Sequence, residues 1–236
     1  MNNYIEKIKL ALLRFLLFRK VFIILHKTFF NKAKFTNSKE YWESRYISGG
    51  NSGLGSYNHL AKYKAEFLND FAKKQDIEKV IELGCGDGSQ LKLFDFNRYV
   101  GYDISETIIL KCKEVFKNDS SKNFRLLSEW DNDNGNLSIS LDVIYHLIEN
   151  ESFHEYMNIL FNSSTKYVII YSSNGDKYKL NGIVPHVKHR KFTDWVEKHY
   201  PQFKLVKHFV NPYPYNRNNK KTSLADFFIY KKDGKF

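Results

Sequence analysis

Apolar residues along this chain change their period repeatedly, and each change marks an element. Compact apolar runs read as strands at residues 79–83, 99–104, 124–127, 137–142, 167–172, 203–210 and 226–231. Helical spacing predicts helices over 59–74, 89–94, 106–118, 151–162 and 193–199. In 151–162 the pattern is carried by Phe153, Tyr156, Met157, Leu160 and Phe161, and Thr193 stands where the N-cap of 193–199 belongs. Strand and helix alternate from about residue 78 on, which predicts an α/β fold with a seven-stranded, doubly wound, mostly parallel sheet. The last two strands are joined by "NPYPYNRNNKKTSL", with no helix between them, so they form an antiparallel pair at the sheet edge. Upstream, "EYWESRYISGGNSGLGSY" is rich in glycine, serine and aromatic residues and reads as a loop beside a site.

Residues 1–34 depart from this alternation. They carry eight Lys or Arg against the single acid Glu6, so +7 of the chain's net +11 sits there and +4 is left for residues 35–236. Arg14, Arg19 and Lys20 cut the stretch into apolar runs far shorter than the roughly 20 residues that a membrane span needs. No small-residue cleavage site follows it. It is expected to be a basic hydrophobic helical extension (1–34), with the α/β domain at 35–236. Residues 5–27 would either pack on protein or lie on an anionic membrane surface.

The 236 residues, 42% of them hydrophobic, suffice for one domain with a real core. Because the positive excess is concentrated in the N-terminal segment, the charge argues against nucleic acid as a partner. The two cysteines, Cys85 and Cys112, exclude a disulfide framework and a four-cysteine zinc site. That usage fits a cytoplasmic protein, peripheral at the inner membrane surface if residues 5–27 bind lipid.

Chemistry concentrates in "VIELGCGDGSQ" at the end of the first strand. In an open parallel sheet a ligand sits at the carboxyl ends of the strands, so this loop is the expected place for one. Its spacing is Gly84-x-Gly86-x-Gly88, with Ser89 where a dinucleotide loop would have its third glycine. Glu82 and Asp87 flank it, which disfavours phosphates and favours a cation. The next strand ends in Asp103, 19 residues after Gly84, near the offset at which an acid accepts ribose hydroxyls. Together these residues describe a nucleoside-like, cationic ligand.

"VIELGCGDGS", "YVGYDIS" and "SLDVIYHL", in this order, resemble the first, second and post-fourth-strand motifs of class I S-adenosylmethionine-dependent methyltransferases. The resemblance spans roughly residues 41–231. It implies a strand order 3-2-1-4-5-7-6 with strand seven antiparallel, and S-adenosylmethionine as cofactor with S-adenosylhomocysteine as product. It also implies Gly84 and Gly86 near the methionine portion, Asp103 on the ribose and Ile104 on the adenine face. One departure is Asn136, at the start of the strand-four motif where the family commonly has Asp. Cys85 reads as a small residue that fits the loop.

An alcohol acceptor must lose its proton as it attacks, and histidine is the usual base. His146, just after the fourth strand, is the first candidate; Asp142 would orient it or contact the cofactor. His186 and His189, in "VPHVKHRKFTDW", are candidates for substrate contact. Arg45 would pair with the cofactor's carboxylate and Tyr57 would close over it. No target-recognition domain or "NPPY"-like motif is evident, so a small-molecule acceptor is expected, more loosely an oxygen of a surface-carbohydrate precursor (a sugar or phosphoramidate group). A nicotinamide-dependent oxidoreductase and a non-catalytic S-adenosylmethionine-binding protein are the alternatives.

Overall fold

A computed structural model of the chain describes residues 35–219 and 221–234. The segment 1–34, with the stretch expected either to pack on protein or to lie on a membrane surface, lies outside the described residues. Within residues 37–236, which form one compact unit, the elements are α1 (Ser38–Ile47), α2 (Asn58–Lys74), β1 (Lys79–Leu83), β2 (Arg98–Asp103), α3 (Glu106–Val115), β3 (Lys122–Leu126), β4 (Gly135–Leu141), α4 (Asn150–Asn162), β5 (Ser164–Ser172), α5 (Phe192–His199), β6 (Phe203–Phe209) and β7 (Asp226–Lys232). They build a seven-stranded sheet of order β3-β2-β1-β4-β5-β7-β6. β1 runs parallel to β2 and β4, and β7 is antiparallel to both β5 and β6, as the sequence predicts.

The sheet is covered on both faces, which is why its central strands read as near-continuous apolar runs. On one face Ala65, Leu68 and Ala72 of α2 and Ile109 and Cys112 of α3 pack against Val80, Leu137, Ile139 and Phe227. On the other, Phe153, Met157, Leu160 and Phe161 of α4 and Val196 of α5 meet Ile81, Leu83, Val168 and Ile170. Leu68 is fully buried, so its truncation to alanine would cost about 2–5 kcal/mol.

Three local expectations are corrected. Residues 38–47 form a helix where a loop was expected, because Asn37 is an N-cap whose Oδ1 accepts the Glu40 N–H at 2.8 Å. The expected helix at 89–94 shrinks to a single tight turn, Leu91–Leu93. Thr193 is not the N-cap of α5, which starts at Phe192; its hydroxyl pairs instead with the Asn174 side chain. Asn136, the departure from the motif, sits at the amino end of β4, where its Oδ1 accepts the N–H groups of Glu78 and Lys79 and ties β4 to β1. Among the described residues no helix is long and apolar enough to cross a membrane.

Candidate functional site

The strand order reverses between β1 and β4, and at the carboxyl ends of these strands lies a cleft of about 750 Å³, its open mouth included. This is the crevice where open α/β sheets bind their ligands. Of the residues expected from sequence, Glu82, Gly84, Cys85, Gly86, Asp103, Ile104, Asp142 and His146 all line it.

The glycine loop turns sharply at the end of β1, with φ of +76° at Gly84 and +56° at Gly86, a region that favours glycine. A Cβ on Gly86 would come within 2.3 Å of Ser52 Oγ, so a side chain there would displace Ser52 as well as strain the backbone. The Gly86 N–H donates to Asp103 Oδ2 at 3.0 Å and the Ser105 N–H to Oδ1 at 3.1 Å, fixing the carboxylate at the tip of β2. Burial pushes the Asp103 carboxyl up to about 6 against these backbone hydrogen bonds. Glu82, only 3% exposed within β1, is pushed by burial up to about 7, opposed by the Tyr99 hydroxyl that donates to it at 2.5 Å. Cys85 is buried beside Cys112; that neighbour and burial push its thiol up, so it is no nucleophile.

Asp87 and Tyr57, also expected at the cofactor, are not among the lining residues. Tyr57 donates its hydroxyl to Asp87, and the N–H groups of Ser52 and Ser89 donate to the same carboxylate at 3.2 and 3.0 Å. Burial would raise the Asp87 carboxyl, but these hydrogen bonds outweigh it and hold it below the usual range. The pair staples the glycine loop to the 49–57 segment. Arg45 likewise does not line the cleft: its Nε donates to the Asn51 carbonyl at 2.7 Å and its guanidinium sits 5.5 Å from the Trp42 ring.

The cation that does face the cleft is Lys64, which sequence reasoning overlooked. It is 1% exposed and its Nζ lies 2.6 Å from Asp142 Oδ2. Asp142 follows β4 in the left-handed region, with φ of +61°, and also accepts the Tyr145 hydroxyl at 2.9 Å. A signal was present: Lys64 sits four residues from both Leu60 and Leu68 on the buried face of α2, where an unpaired lysine would be costly. Gln90 was overlooked too. Its Nε2 donates to the Ala61 carbonyl at 2.9 Å, which leaves Oε1 as a buried acceptor with no partner in the cleft wall.

His146 is held by α1 and by the segment after β5. Ser38 Oγ lies 2.8 Å from the His146 carbonyl and 2.7 Å from Glu149 Oε2. The ring meets Trp42 edge-on at 4.9 Å and stacks on His186 at 5.7 Å. His146 Nδ1 is 2.9 Å from the His186 carbonyl. A carbonyl only accepts, so Nδ1 carries the hydrogen and Nε2 keeps its lone pair. Burial pulls the ring's pKa down to about 4, so it is neutral at physiological pH. His186 thus serves His146 through its main chain, while its ring stacks on Tyr41 at 4.3 Å. His189 is buried, its Nδ1 2.7 Å from Ser173 Oγ, and does not line the cleft.

No protein-family model matches the chain, and no curated protein matches it either. Solved structures do. It is similar to the N-methyltransferase NodS from Bradyrhizobium japonicum WM9 in complex with S-adenosyl-L-homocysteine (12% identity, 84% of this chain and 99% of that one, TM-score 0.64). It is similar also to magnesium protoporphyrin IX methyltransferase from Synechocystis PCC 6803 with bound S-adenosylhomocysteine (16% identity, 84% and 97%, TM-score 0.58). A third is the methyltransferase domain of a bacterial Hen1 (17% identity, 75% and 100%, TM-score 0.57). The chain therefore has the Rossmann-like methyltransferase fold.

Proposed function

We propose that the chain is an S-adenosylmethionine-dependent methyltransferase acting on a small-molecule hydroxyl. The observation that carries this reading is the makeup of the cleft wall: three carboxylates (Glu82, Asp103, Asp142), one orphaned amide oxygen (Gln90) and one buried cation (Lys64) around a glycine loop whose Gly84 and Gly86 lie too close to Val143 and Ser52 to take a Cβ without displacing them. This donor set fits a cationic nucleoside with an amino-acid tail. Asp103 would take the ribose hydroxyls and Ile104 with Leu127 the adenine, at the β2/β3 side. Glu82, Gln90 and Asp142 would face the ammonium and Lys64 the carboxylate, at the β1/β4 side. A dinucleotide's pyrophosphate would meet the same carboxylates at unfavourable electrostatic cost, which disfavours the oxidoreductase alternative.

When bound, the cofactor supplies a methyl group made electrophilic by its sulfonium. The chain's own task is to orient the acceptor, exclude water and receive a proton. Trp42 and Tyr46 form an apolar wall suited to the face of a sugar, beside the lone pair of His146 Nε2, which has no partner among the described residues. A hydroxyl of a surface-carbohydrate precursor is the acceptor this wall suits. His146 takes its proton; the Nδ1–H bond to the His186 carbonyl sets the tautomer that leaves Nε2 free to do so.

The test is calorimetry of wild type and Asp103→Ala with S-adenosylmethionine and S-adenosylhomocysteine, followed by a panel of sugar acceptors assayed for S-adenosylhomocysteine release. Low-micromolar binding by the wild type is expected, and its absence overturns the reading. In His146→Ala, turnover falls while cofactor affinity holds; an unchanged rate removes the base assignment. Cofactor binding with no turnover on any acceptor would favour the non-catalytic alternative.

A further inference from the structure

The rim of the cleft carries a surface that methyl transfer does not explain. Two loops meet there: the one after β5 and the one joining β6 to β7, with Tyr178 and Tyr215 ring centroids 4.9 Å apart. The first reaches the cleft wall through His186, and the second is held to α2 by His59 Nε2, 2.9 Å from the Lys221 carbonyl. Lys177, Lys179, Arg217 and Lys221 are exposed on these loops, and none has an ion-pair partner among the described residues. The one acid of the first loop, Asp176, forms no ion pair with them; its two oxygens accept the N–H groups of Leu180 and Asn181 at 2.6 and 2.9 Å, and its single negative charge leaves these loops net positive. The first of these loops also exposes apolar side chains: Ile183, 61% exposed, Tyr178, 39% exposed, and Val184.

Unpaired cations and protruding aliphatic and aromatic side chains on the same loops are the two components of interfacial membrane binding: attraction to anionic headgroups and shallow insertion of apolar groups. A nucleic acid would use the cations but has no use for Ile183 and Val184. We propose that this rim docks on an anionic lipid bilayer, presenting the cleft mouth to acceptors held at the membrane. This goes beyond the methyl-transfer reading and does not depend on it, since it rests on the charge and exposure of the rim alone. Each cation near the surface is worth about fivefold in partition coefficient.

The experiment uses the full chain with an environment-sensitive fluorophore on the thiol of the Ile183→Cys variant; Cys85 and Cys112 are buried and label poorly. The probe reports on position 183 itself, and the charge variants separate docking by this rim from binding through residues 1–34. Vesicles of phosphatidylcholine with phosphatidylglycerol should shift its emission to the blue, and pure phosphatidylcholine should not. Adding Lys177→Gln, Lys179→Gln and Arg217→Gln should weaken the response about a hundredfold in lipid concentration. Sedimentation with the vesicles without any change at position 183 would overturn the proposal, as would no binding, or a response to single-stranded RNA in place of vesicles.

Discussion

Replacing Lys64 by Met keeps the length of the side chain and removes its charge. Asp142 would then keep the Tyr145 hydroxyl at 2.9 Å but lose the ammonium at 2.6 Å, leaving a carboxylate uncompensated in a wall only 14% exposed at that side chain. Breaking one side of a buried pair costs about 3–5 kcal/mol. For a domain of this size that is a fall of about 6–20 °C in Tm. The double variant Lys64→Met/Asp142→Asn carries no stranded charge and should recover most of the loss. Affinity should not recover with it: without the ammonium, S-adenosylhomocysteine binding should weaken about 10- to 100-fold, the worth of a charge-assisted hydrogen bond. 5′-Methylthioadenosine, which lacks the amino-acid tail, should bind all variants alike. Thermal unfolding at pH 8 and calorimetry with both ligands read these outcomes. A single variant as stable as wild type, or a double variant no better than the single, would refute the electrostatic reasoning. Unchanged S-adenosylhomocysteine affinity would remove Lys64 from the tail site.

Three further outcomes are expected. Asp103→Ala should lower S-adenosylhomocysteine affinity by about 1.5–3 kcal/mol, read by calorimetry, because it removes a charged acceptor from the ribose site; a loss below threefold would contradict that role. His146 is held at about 4 by burial, against an ordinary 6.5. As pH falls the unfolded chain takes the proton first, so this stability is intact above 6.5 and lost on the way down to 4, up to about 3 kcal/mol; urea titrations at pH 7.5 and 4.5 should show a smaller difference in His146→Leu than in wild type. Glu82 has the opposite sign: its carboxyl is raised by burial from 4.5 to about 7, so its contribution is intact below 4.5 and lost as pH rises through 7. A cationic ligand favours the ionised form, so S-adenosylmethionine should bind more tightly at pH 8 than at pH 6 with proton release, detectable by calorimetry in buffers of different ionisation enthalpy. Glu82→Gln should abolish most of that release.

The strands and the glycine loop were legible because their signals are local. Val80, Ile81 and Leu83 are buried between two helical layers, so β1 is apolar on both faces, and the interruption by Glu82 marks the ligand side without any knowledge of the fold. Gly86 needs its φ of +56° whatever lies around it. Asp103, at the tip of β2, follows from the length of one β-loop-β unit. The helix at 38–47 had a local signal as well, the Asn37 cap with Glu40 three residues on, but aromatic and serine content masked its period.

What only the tertiary structure decided is the partnership of each charged group. Lys64 and Asp142 are 78 residues apart and meet because α2 shares a core layer with β4 through Ala65, Leu68, Leu137 and Leu141. Arg45 and Tyr57 stand in the right segment, yet the Asn51 carbonyl, six residues on, and the Asp87 carboxylate, thirty residues on, claim them first. The tautomer of His146 is set by a carbonyl 40 residues away. Periodicity follows from the backbone's own geometry and is written into every few residues of sequence. Charge pairing follows from which strands and helices close against one another, and that becomes definite only when the chain is folded.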